Sequence, residues 1–416
     1  MPSIQSATND SVPMTLGSSG SLHRRYSLRK FAGTVLRAAA GFWFVVAVIG
    51  QIIFAFSIAS FYGLTAVRGN WLAWNRAMLH GYAPGYHVGN TVVAIHLASA
   101  VIIILSGALQ LIPQIRQRAP QFHRWNGRIY VVTAFTVSLA GLYMLWFRGA
   151  VGGFSQHLGQ GVDGILIMVC AVMALRYALA RDFKTHRRWA LRLYLVVSAS
   201  LFVRAATIIL PLVPLTGPFG LNPATLQGPF LTELSFAQYL VPLAVLELYL
   251  RTQERPGAFR RIAMAACLFV LTIALGAGIS FATMTVFLPR IKAGFDTRKS
   301  ISEALSATIA SSGIDAAVMQ YHHLKAEEPA TYNFNEDELN TLGYDLIRNR
   351  KFDEAIRIFQ LNVEAYPHSG NVYDSLAEAY MDDGNKPQAI ADYRESLQLN
   401  PKNRNAVQML KKLNAP

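Results

Sequence analysis

The sequence has few charged residues and very few cysteines for its length. Only 15% of its 416 residues are charged and 52% are hydrophobic, whereas roughly a quarter of a soluble domain is charged. The two cysteines, Cys170 and Cys267, both lie in apolar runs, which excludes a disulfide framework and a CxxC metal site. These shortages indicate a membrane protein.

Acidic residues are scarce in the first 290 residues, which contain 24 Lys and Arg but only 6 Asp and Glu. Residues 291–416 contain 14 and 18, so a basic, apolar part precedes an acidic, polar tail. The arginines of the first part lie between apolar runs, where the positive-inside rule places them in cytoplasmic loops. The lipid bilayer is therefore the expected partner, and nucleic acid is not.

Motifs of soluble enzymes are absent from the sequence. It has no nucleophile elbow, no HExxH and no paired-carboxylate catalytic site. The glycine-rich stretch VGGFSQHLGQG (151–161) has neither the preceding strand nor the lysine of a phosphate-binding loop, and we interpret it as a flexible outer turn. Whether the chain is an enzyme stays open.

Seven apolar runs follow a polar start. We predict that residues 1–30 form a disordered, basic N-terminal segment, since residues 1–22 are rich in Ser, Thr, Asn and Gly. A bilayer-spanning helix needs about 20 apolar residues. The runs lie near 31–60, 91–113, 126–148, 161–180, 190–213, 234–250 and 262–288. The sequence therefore predicts an all-α, polytopic membrane helix bundle of about seven spans over 31–290, with its core hairpins at 91–213.

Charge in the connections predicts the orientation. The connections near 114–128, 181–192 and 251–261 are rich in arginine, and those near 63–90, 149–160 and 214–233 are poor in Lys and Arg. This alternation predicts an inner-membrane protein with a cytoplasmic N-terminus and a periplasmic, or at least extracytoplasmic, C-terminal domain. One stretch dissents, because RIKAGFDTRK (290–299) puts basic residues on the outer side.

The tail repeats itself at a regular spacing. Small, aromatic and proline positions match, for example Gly343 with Ala377, Phe359 with Tyr393 and Pro367 with Pro401. Over 335–402 this pattern resembles tetratricopeptide repeats, whose units are about 34 residues long. It predicts a soluble helical repeat domain at 291–416.

Two flanking segments complete the predicted array. Residues 313–329 look like the second helix of a degenerate earlier unit, and 404–413 like a capping helix. Such arrays bind proteins or peptides in a groove, here formed by 313–413. The alternatives are that the domain packs on its own membrane part or only self-associates.

One phrase is written twice, with identical spacing from its tryptophan onward. HRWNGRIYVV (123–132) and HRRWALRLYLVV (186–197) both precede long apolar runs. Arginine and aromatic residues suit a cytoplasmic helix end, where they anchor the helix at the interface. Those residues need no further explanation, but His123 and His186 do.

The histidines alternate in depth along four successive spans. His96 and His157 lie toward the outer side, and His123 and His186 toward the inner side. This order resembles the two-haem transmembrane cytochrome b families. The resemblance implies haem b held by His96 with His157 and by His123 with His186, and electron transfer across the membrane. No metal other than this candidate haem iron is expected.

Other polar residues lie within the spans. Arg204 lies at the depth of His96, where it would bind a haem propionate, an anionic lipid headgroup or an acidic substrate, or else pair with Asp163 or backbone carbonyls. Three more lie near the inner leaflet: Gln110, Arg176 and Glu247.

A closer resemblance is to a bacterial family of predicted membrane proteins of unknown function. It covers about 91–212 and rests on ALQLIPQIRQRAPQFHRWNGRIY, SLAGLY and RDFKTHRRWALRLY, with Arg204 one helix length later. That family implies no reaction. A second hypothesis therefore stands beside haem-dependent electron transfer: a non-redox scaffold, lipid-binding or transport protein whose histidines are structural.

Overall fold

The computed structural model describes residues 17–78, 81–213, 220, 227–254 and 257–413, and nearly all of them are helical. The chain divides into two compact units, Met1–Phe295 and Asp296–Pro416. We call them the membrane domain and the repeat domain and describe each by itself. The all-α fold class is confirmed.

Apolar helices make up the membrane domain. In chain order they are α1 (Gly17–Ile58), α2 (Leu64–Val67), α3 (His87–Leu111), α4 (Pro113–Arg118), α5 (Pro120–Phe147), α6 (Phe154–Leu179), α7 (Phe183–Val197), α8 (Ala199–Ala206), α9 (Pro229–Glu254), α10 (Ala258–Ala282) and α11 (Leu288–Phe295). Short 3₁₀ helices lie at Leu72–Arg76 and Thr207–Leu212.

Six helical segments in the described part of the chain are long and apolar enough to cross a bilayer. They are Ser27–Val67, His87–Leu111, Pro120–Phe147, Phe154–Leu179, Pro229–Glu254 and Ala258–Phe295. A seventh span results if α7 and α8, which meet at an angle of 44°, count as one. The prediction of about seven spans is therefore confirmed as six to seven.

The bend between α7 and α8 lies at Ser198, in a run that the sequence predicted as one uninterrupted helix. Ser198 Oγ donates to the Tyr194 carbonyl four residues back and accepts from Gln51 Nε2 of α1. A serine that bonds back to its own helix favours a bend, and the buried amide of Gln51 holds the hydroxyl in place.

Two further irregularities interrupt long spans. A π-helical turn, Ala59–Gly63, follows α1, and another, Thr283–Phe287, follows α10. Gly294 of α11 lies against the first of them, so closely that a Cβ there would overlap the Ser60 carbonyl. Glycine is needed at this position because two backbones meet.

Pairs of neighbouring helices form the centre of the domain. Helix α3 packs along α5, α6 packs along α7, and α5 connects the two hairpins through its contact with α6. Gly107 of α3 accommodates the Tyr130 ring of α5. Around this centre, α1 packs along α10, and α10 packs against α8.

Helical hairpins build the repeat domain. They are α12 (Ile301–Ser312) with α13 (Ile314–Glu327), α14 (Glu336–Arg348) with α15 (Phe352–Ala365), and α16 (Gly370–Asp382) with α17 (Lys386–Leu399), followed by α18 (Arg404–Lys412). Strands β1 (Lys299–Ser300) and β2 (Tyr332–Asn333) pair in parallel.

The period of the repeats has a direct structural basis. Phe359 and Tyr393 are both fully buried, and Gly343 lies against the Phe359 ring. Asn362 Nδ2 donates to the Glu336 carbonyl, and one repeat later Ser396 Oγ donates to the equivalent Gly370 carbonyl. The tetratricopeptide-like fold is confirmed.

Some expectations need adjustment. Helix α1 begins at Gly17, so the second half of the predicted disordered segment is helical, and residues 1–16 lie outside the described residues. The earlier repeat unit has a first helix, α12, which the sequence did not reveal. Much of the predicted outer connection 214–233 lies outside the described residues.

Candidate functional site

The two inner histidines begin corresponding helices. His123 lies in the first turn of α5 after Pro120, a residue suited to that position. His186 lies in the first turn of α7, where Asp182 Oδ1 caps the helix by accepting from the Thr185 amide. Gln110 of α3 joins the cluster, since its Nε2 donates to the His123 carbonyl at 2.9 Å.

The rings of His123 and His186 lie within electrostatic range of each other. His186 Nδ1 is 2.8 Å from the Ala174 carbonyl oxygen, a contact in which Nδ1 donates and Nε2 is left to accept. His123 Nδ1 is buried and has no hydrogen-bond partner in the described part of the chain. His186 is therefore held against α6, while His123 keeps one ring nitrogen without a partner among the described residues.

The arginines and tryptophans of the doubled phrase form the same pair twice. The Arg128 guanidinium lies over the Trp125 ring at 4.6 Å, and that of Arg192 over Trp189 at 4.8 Å. Arg192 also pairs with Glu247 at 3.0 Å. These contacts fit the interfacial role that the sequence indicated. Arg176 is exposed near the end of α6 and lies over Tyr177.

The tyrosines of the phrase depart from that interpretation. Tyr130 is 5% exposed and Tyr194 is 2% exposed, so neither belongs to an interfacial belt. They lie within electrostatic range of each other, and both hydroxyls are buried without a partner among the described residues. The sequence did contain a sign that the two tyrosines matter, because both copies of the phrase place the tyrosine at the same position after the tryptophan.

The outer histidines are not brought together. His96 Nδ1 is 3.0 Å from the Val137 carbonyl oxygen, and a Cβ on Gly141 would lie 3.3 Å from the His96 ring. His157 Nε2 instead contacts the Ala150 carbonyl at 3.1 Å, and its ring packs edge-on against Trp146 at 6.0 Å. Gly141 and Trp146 lie roughly 140° apart around α5, so the two histidines approach different sides of that helix. This geometry gives a shared outer haem no support.

Arg204 lies within electrostatic range of His96, as their depths predicted. Its Nη1 donates to the Ser200 carbonyl at 2.6 Å, and its guanidinium lies over the Phe54 ring at 4.5 Å. Asp163 is not its partner, since Asp163 Oδ1 is buried without a hydrogen bond to any described residue. The described residues also contain no group of three or more His, Cys, Asp and Glu side chains that could hold a metal ion.

A polar face crosses the first helices of the repeat units. Positions one repeat apart form three rows on α14, α16 and α18. The rows are Asp337, Asn371 and Asn405; Asn340, Asp374 and Gln408; and Tyr344, Glu378 and Lys412. We call these nine residues the row face.

Hydrogen bonds connect the rows from helix to helix. The Tyr344 hydroxyl donates to Glu378 at 2.7 Å, and Asn405 Nδ2 donates to Glu378 and Asp374 at 2.7 and 2.9 Å. Burial raises the pKa of the Asp374 and Glu378 carboxyls, and these donors partly oppose that effect. Two carboxylates are thereby fixed in one geometry on the face.

Comparison with known families now adds to the geometry. Residues 93–241 match the family described as "Predicted membrane protein (DUF2306)". This part of the membrane domain is therefore similar to the DUF2306 family. The match spans α3 to α9 and so includes His96, His123, His186 and Arg204. The family's description states no reaction for the DUF2306 domain.

A second match lies in the repeat domain, where residues 370–403 match the tetratricopeptide repeat. That segment contains α16 and α17. No curated protein matches the chain. The matches thus establish a predicted membrane domain joined to a repeat of a kind that suggests protein interaction.

Proposed function

We propose that this protein is a membrane-anchored recruitment protein whose repeat domain binds a basic segment of a partner protein. The observation that carries the proposal is the row face, where the acidic side chains of Asp374 and Glu378 are held by hydrogen bonds across three helices. Pre-positioned side chains lose little freedom on binding, which favours affinity.

The charge of the repeat domain supports a basic partner. Residues 291–416 carry four more acidic than basic residues. Opposite charge raises the rate of encounter and selects among partners more than it raises affinity. In this proposal the DUF2306 domain positions the repeats at the bilayer, and its histidines are structural, as the second sequence hypothesis holds.

Site-directed photo-crosslinking in cells tests the recruitment. A photoreactive residue at Asp337, exposed on α14, should yield a crosslinked protein, and one at Gln398, exposed on α17, should not. Glu378→Gln combined with Asp374→Asn should abolish the Asp337 adduct because both fixed charges are lost. Equal crosslinking from Asp337 and Gln398, or an adduct made only of a second copy of this chain, would contradict the proposal.

We further infer that the protein lies in the inner membrane with its repeat domain outside the cytoplasm. The arginine-rich connections alternate with poor ones only if the bent pair α7–α8 crosses the bilayer. Arg290, the first basic residue of the dissenting stretch 290–299, has a structural role, since its Nη2 donates to the Ala77 carbonyl. In the same region Arg68 Nη1 donates to the Gly294 carbonyl.

Reporter fusions test this orientation. Alkaline phosphatase fused after residue 413 should be active, and the same enzyme fused after Glu254 should not. An inactive C-terminal fusion, with fluorescence from a cytoplasmic reporter at the same point, would place the repeats inside.

Haem b is a second candidate, at the pair His123 and His186 only. His123 has a buried ring nitrogen without a partner among the described residues, and His186 Nδ1 is hydrogen-bonded to the Ala174 carbonyl. A histidine that ligates a metal commonly donates its other ring N–H to a carbonyl, as His186 does. Haem there would supply electron transfer, with His123 and His186 as the residues that hold it.

An absorbance spectrum separates the two candidates. Protein purified from haem-sufficient cells should be colourless under the recruitment proposal, with no Soret band after addition of haemin. A Soret band that disappears in His123→Ala but persists in His96→Ala would establish the inner haem instead.

A further inference from the structure

Three irregular points in the membrane-crossing segments carry the side chains of one polar cluster. The π-turn Ala59–Gly63 contains Tyr62, the π-turn Thr283–Phe287 precedes Arg290, and the segment after the break at Ser198 carries Arg204. Isolated π-turns within α-helices occur frequently at functional sites, because the extra residue turns a side chain out of the regular pattern. Helix breaks likewise occur where a membrane protein binds a ligand.

Contacts around Phe54 place the side chains of this cluster in one region of the membrane domain. Arg204 and Arg290 lie within electrostatic range of each other and of the Tyr62 hydroxyl. His96 also lies within electrostatic range of Arg204. Phe54 forms an apolar wall, with Arg204 over its ring and Phe287 packed 5.3 Å away.

The two arginines of this cluster bring like charges together. No carboxylate in the described part of the chain forms an ion pair with Arg204 or Arg290. Like charges close together in a poorly solvated place oppose folding unless a counter-charge binds. The arrangement is therefore that of a site which an anion completes.

The donors that remain suit an oxyanion. A guanidinium has five N–H groups, and the hydrogen bonds to the Ser200 and Ala77 carbonyls each use one nitrogen of Arg204 and Arg290. The planar N–H fork of arginine matches the oxygens of a phosphate better than the single charge of lysine does. The Tyr62 hydroxyl adds a neutral donor.

We propose that Arg204, Arg290, Tyr62 and His96 form a binding site for the phosphate group of a small anionic ligand. Two sources share this chemistry. A phospholipid headgroup would enter from the bilayer past Met284, which is 73% exposed in the second π-turn. A soluble phosphate compound would enter from the aqueous end, beside Ala77. This site is independent of the row face, and it goes beyond the proposed recruitment function.

Full-length protein in detergent tests the site, with native mass spectrometry counting bound phosphatidylglycerol and calorimetry measuring inorganic phosphate. Arg290→Gln should weaken binding at least about tenfold, because a hydrogen bond to a charged group is lost. Arg290→Lys should bind with intermediate affinity. Arg76→Gln, an exposed arginine in the neighbouring 3₁₀ helix, is the control and should bind like the wild type.

Each outcome decides the question. Retention of phosphatidylglycerol without affinity for inorganic phosphate assigns the lipid, and the reverse assigns a soluble compound. No binding of either, or equal binding by wild type and Arg290→Gln, overturns the proposal. So does a Soret band lost in that variant, which would identify a haem carboxylate as the anion. If Arg290→Gln does not fold, Tyr62→Phe, which removes one donor and no charge, gives the same test with a smaller expected loss.

Discussion

Replacing Gly343 by alanine should destabilise the repeat domain, because the position has no room for a methyl group. A Cβ there would lie 2.6 and 2.7 Å from Phe359 Cε1 and Cε2, and the ring is fully buried. Overpacking of this kind costs about 1–3 kcal/mol, while the better helix propensity of alanine returns about 1 kcal/mol. Since the ring cannot withdraw into solvent, the overpacking cost should lie in the upper part of that range, about 2–3 kcal/mol, which leaves a net loss of about 1–2 kcal/mol.

Hydrogen exchange of the full-length protein measures this loss where it arises. Peptides from α14 and α15 should exchange about 5–30-fold faster in Gly343→Ala, which corresponds to about 1–2 kcal/mol, with peptides of the membrane domain unchanged. A double-mutant cycle with Phe359→Leu adds a control, because the smaller side chain should relieve the overlap. Unchanged exchange in Gly343→Ala, or additive effects in the cycle, would refute the steric argument.

Two further predictions concern a buried carboxyl and a helix crossing. Burial, with a smaller contribution from Glu395, raises the pKa of Asp392 to about 6, so the stability of the repeat domain should fall as pH rises from about 4 to 6. After allowance for solvent screening, Asp392→Asn should recover on the order of 1 kcal/mol at pH 7.5 and almost nothing at pH 4. Thermal melts at several pH values measure this difference. An equal gain at both pH values would contradict this. Gly278→Ala should lower the melting temperature, because a Cβ there would overlap the Ala205 carbonyl beside Arg204, whereas Gly276→Ala, with 3.7 Å to the nearest side chain, should not. Equal melting temperatures for the two glycine variants would show that α8 moves away without cost and would contradict the prediction.

Periodic features could be predicted from the sequence, and local departures from periodicity could not. The spacing of the repeats gave their units correctly because Phe359 and Tyr393 fill equivalent core positions. The length of each apolar run predicted the spans, because a helix must be about 20 residues long to cross the bilayer. The bend at Ser198 escaped prediction because Gln51, which holds the Ser198 hydroxyl in place, lies 147 residues earlier in the chain.

The candidate site was predicted only in part. His123 and His186 both begin helices, and they lie within electrostatic range of each other. His96 and His157 were matched by depth alone, but depth does not fix the face of a helix, and α5 separates them. In the sequence, Arg290 belongs to the basic stretch that contradicts the predicted topology. That contradiction was the signal that Arg290 has a specific role.

The doubled phrase has a consequence for the symmetry of the membrane domain. Each copy begins the second helix of a hairpin, α3–α5 or α6–α7, and a hairpin contains an even number of crossings. An even unit that is copied in tandem keeps its direction in the bilayer, so the flanking charges need no reversal. Odd units would instead have faced opposite ways and formed an inverted pair. Because α5 and α6 both cross the bilayer, the two copies of the phrase begin on the same side, and Tyr130 and Tyr194 take equivalent positions in the two hairpins.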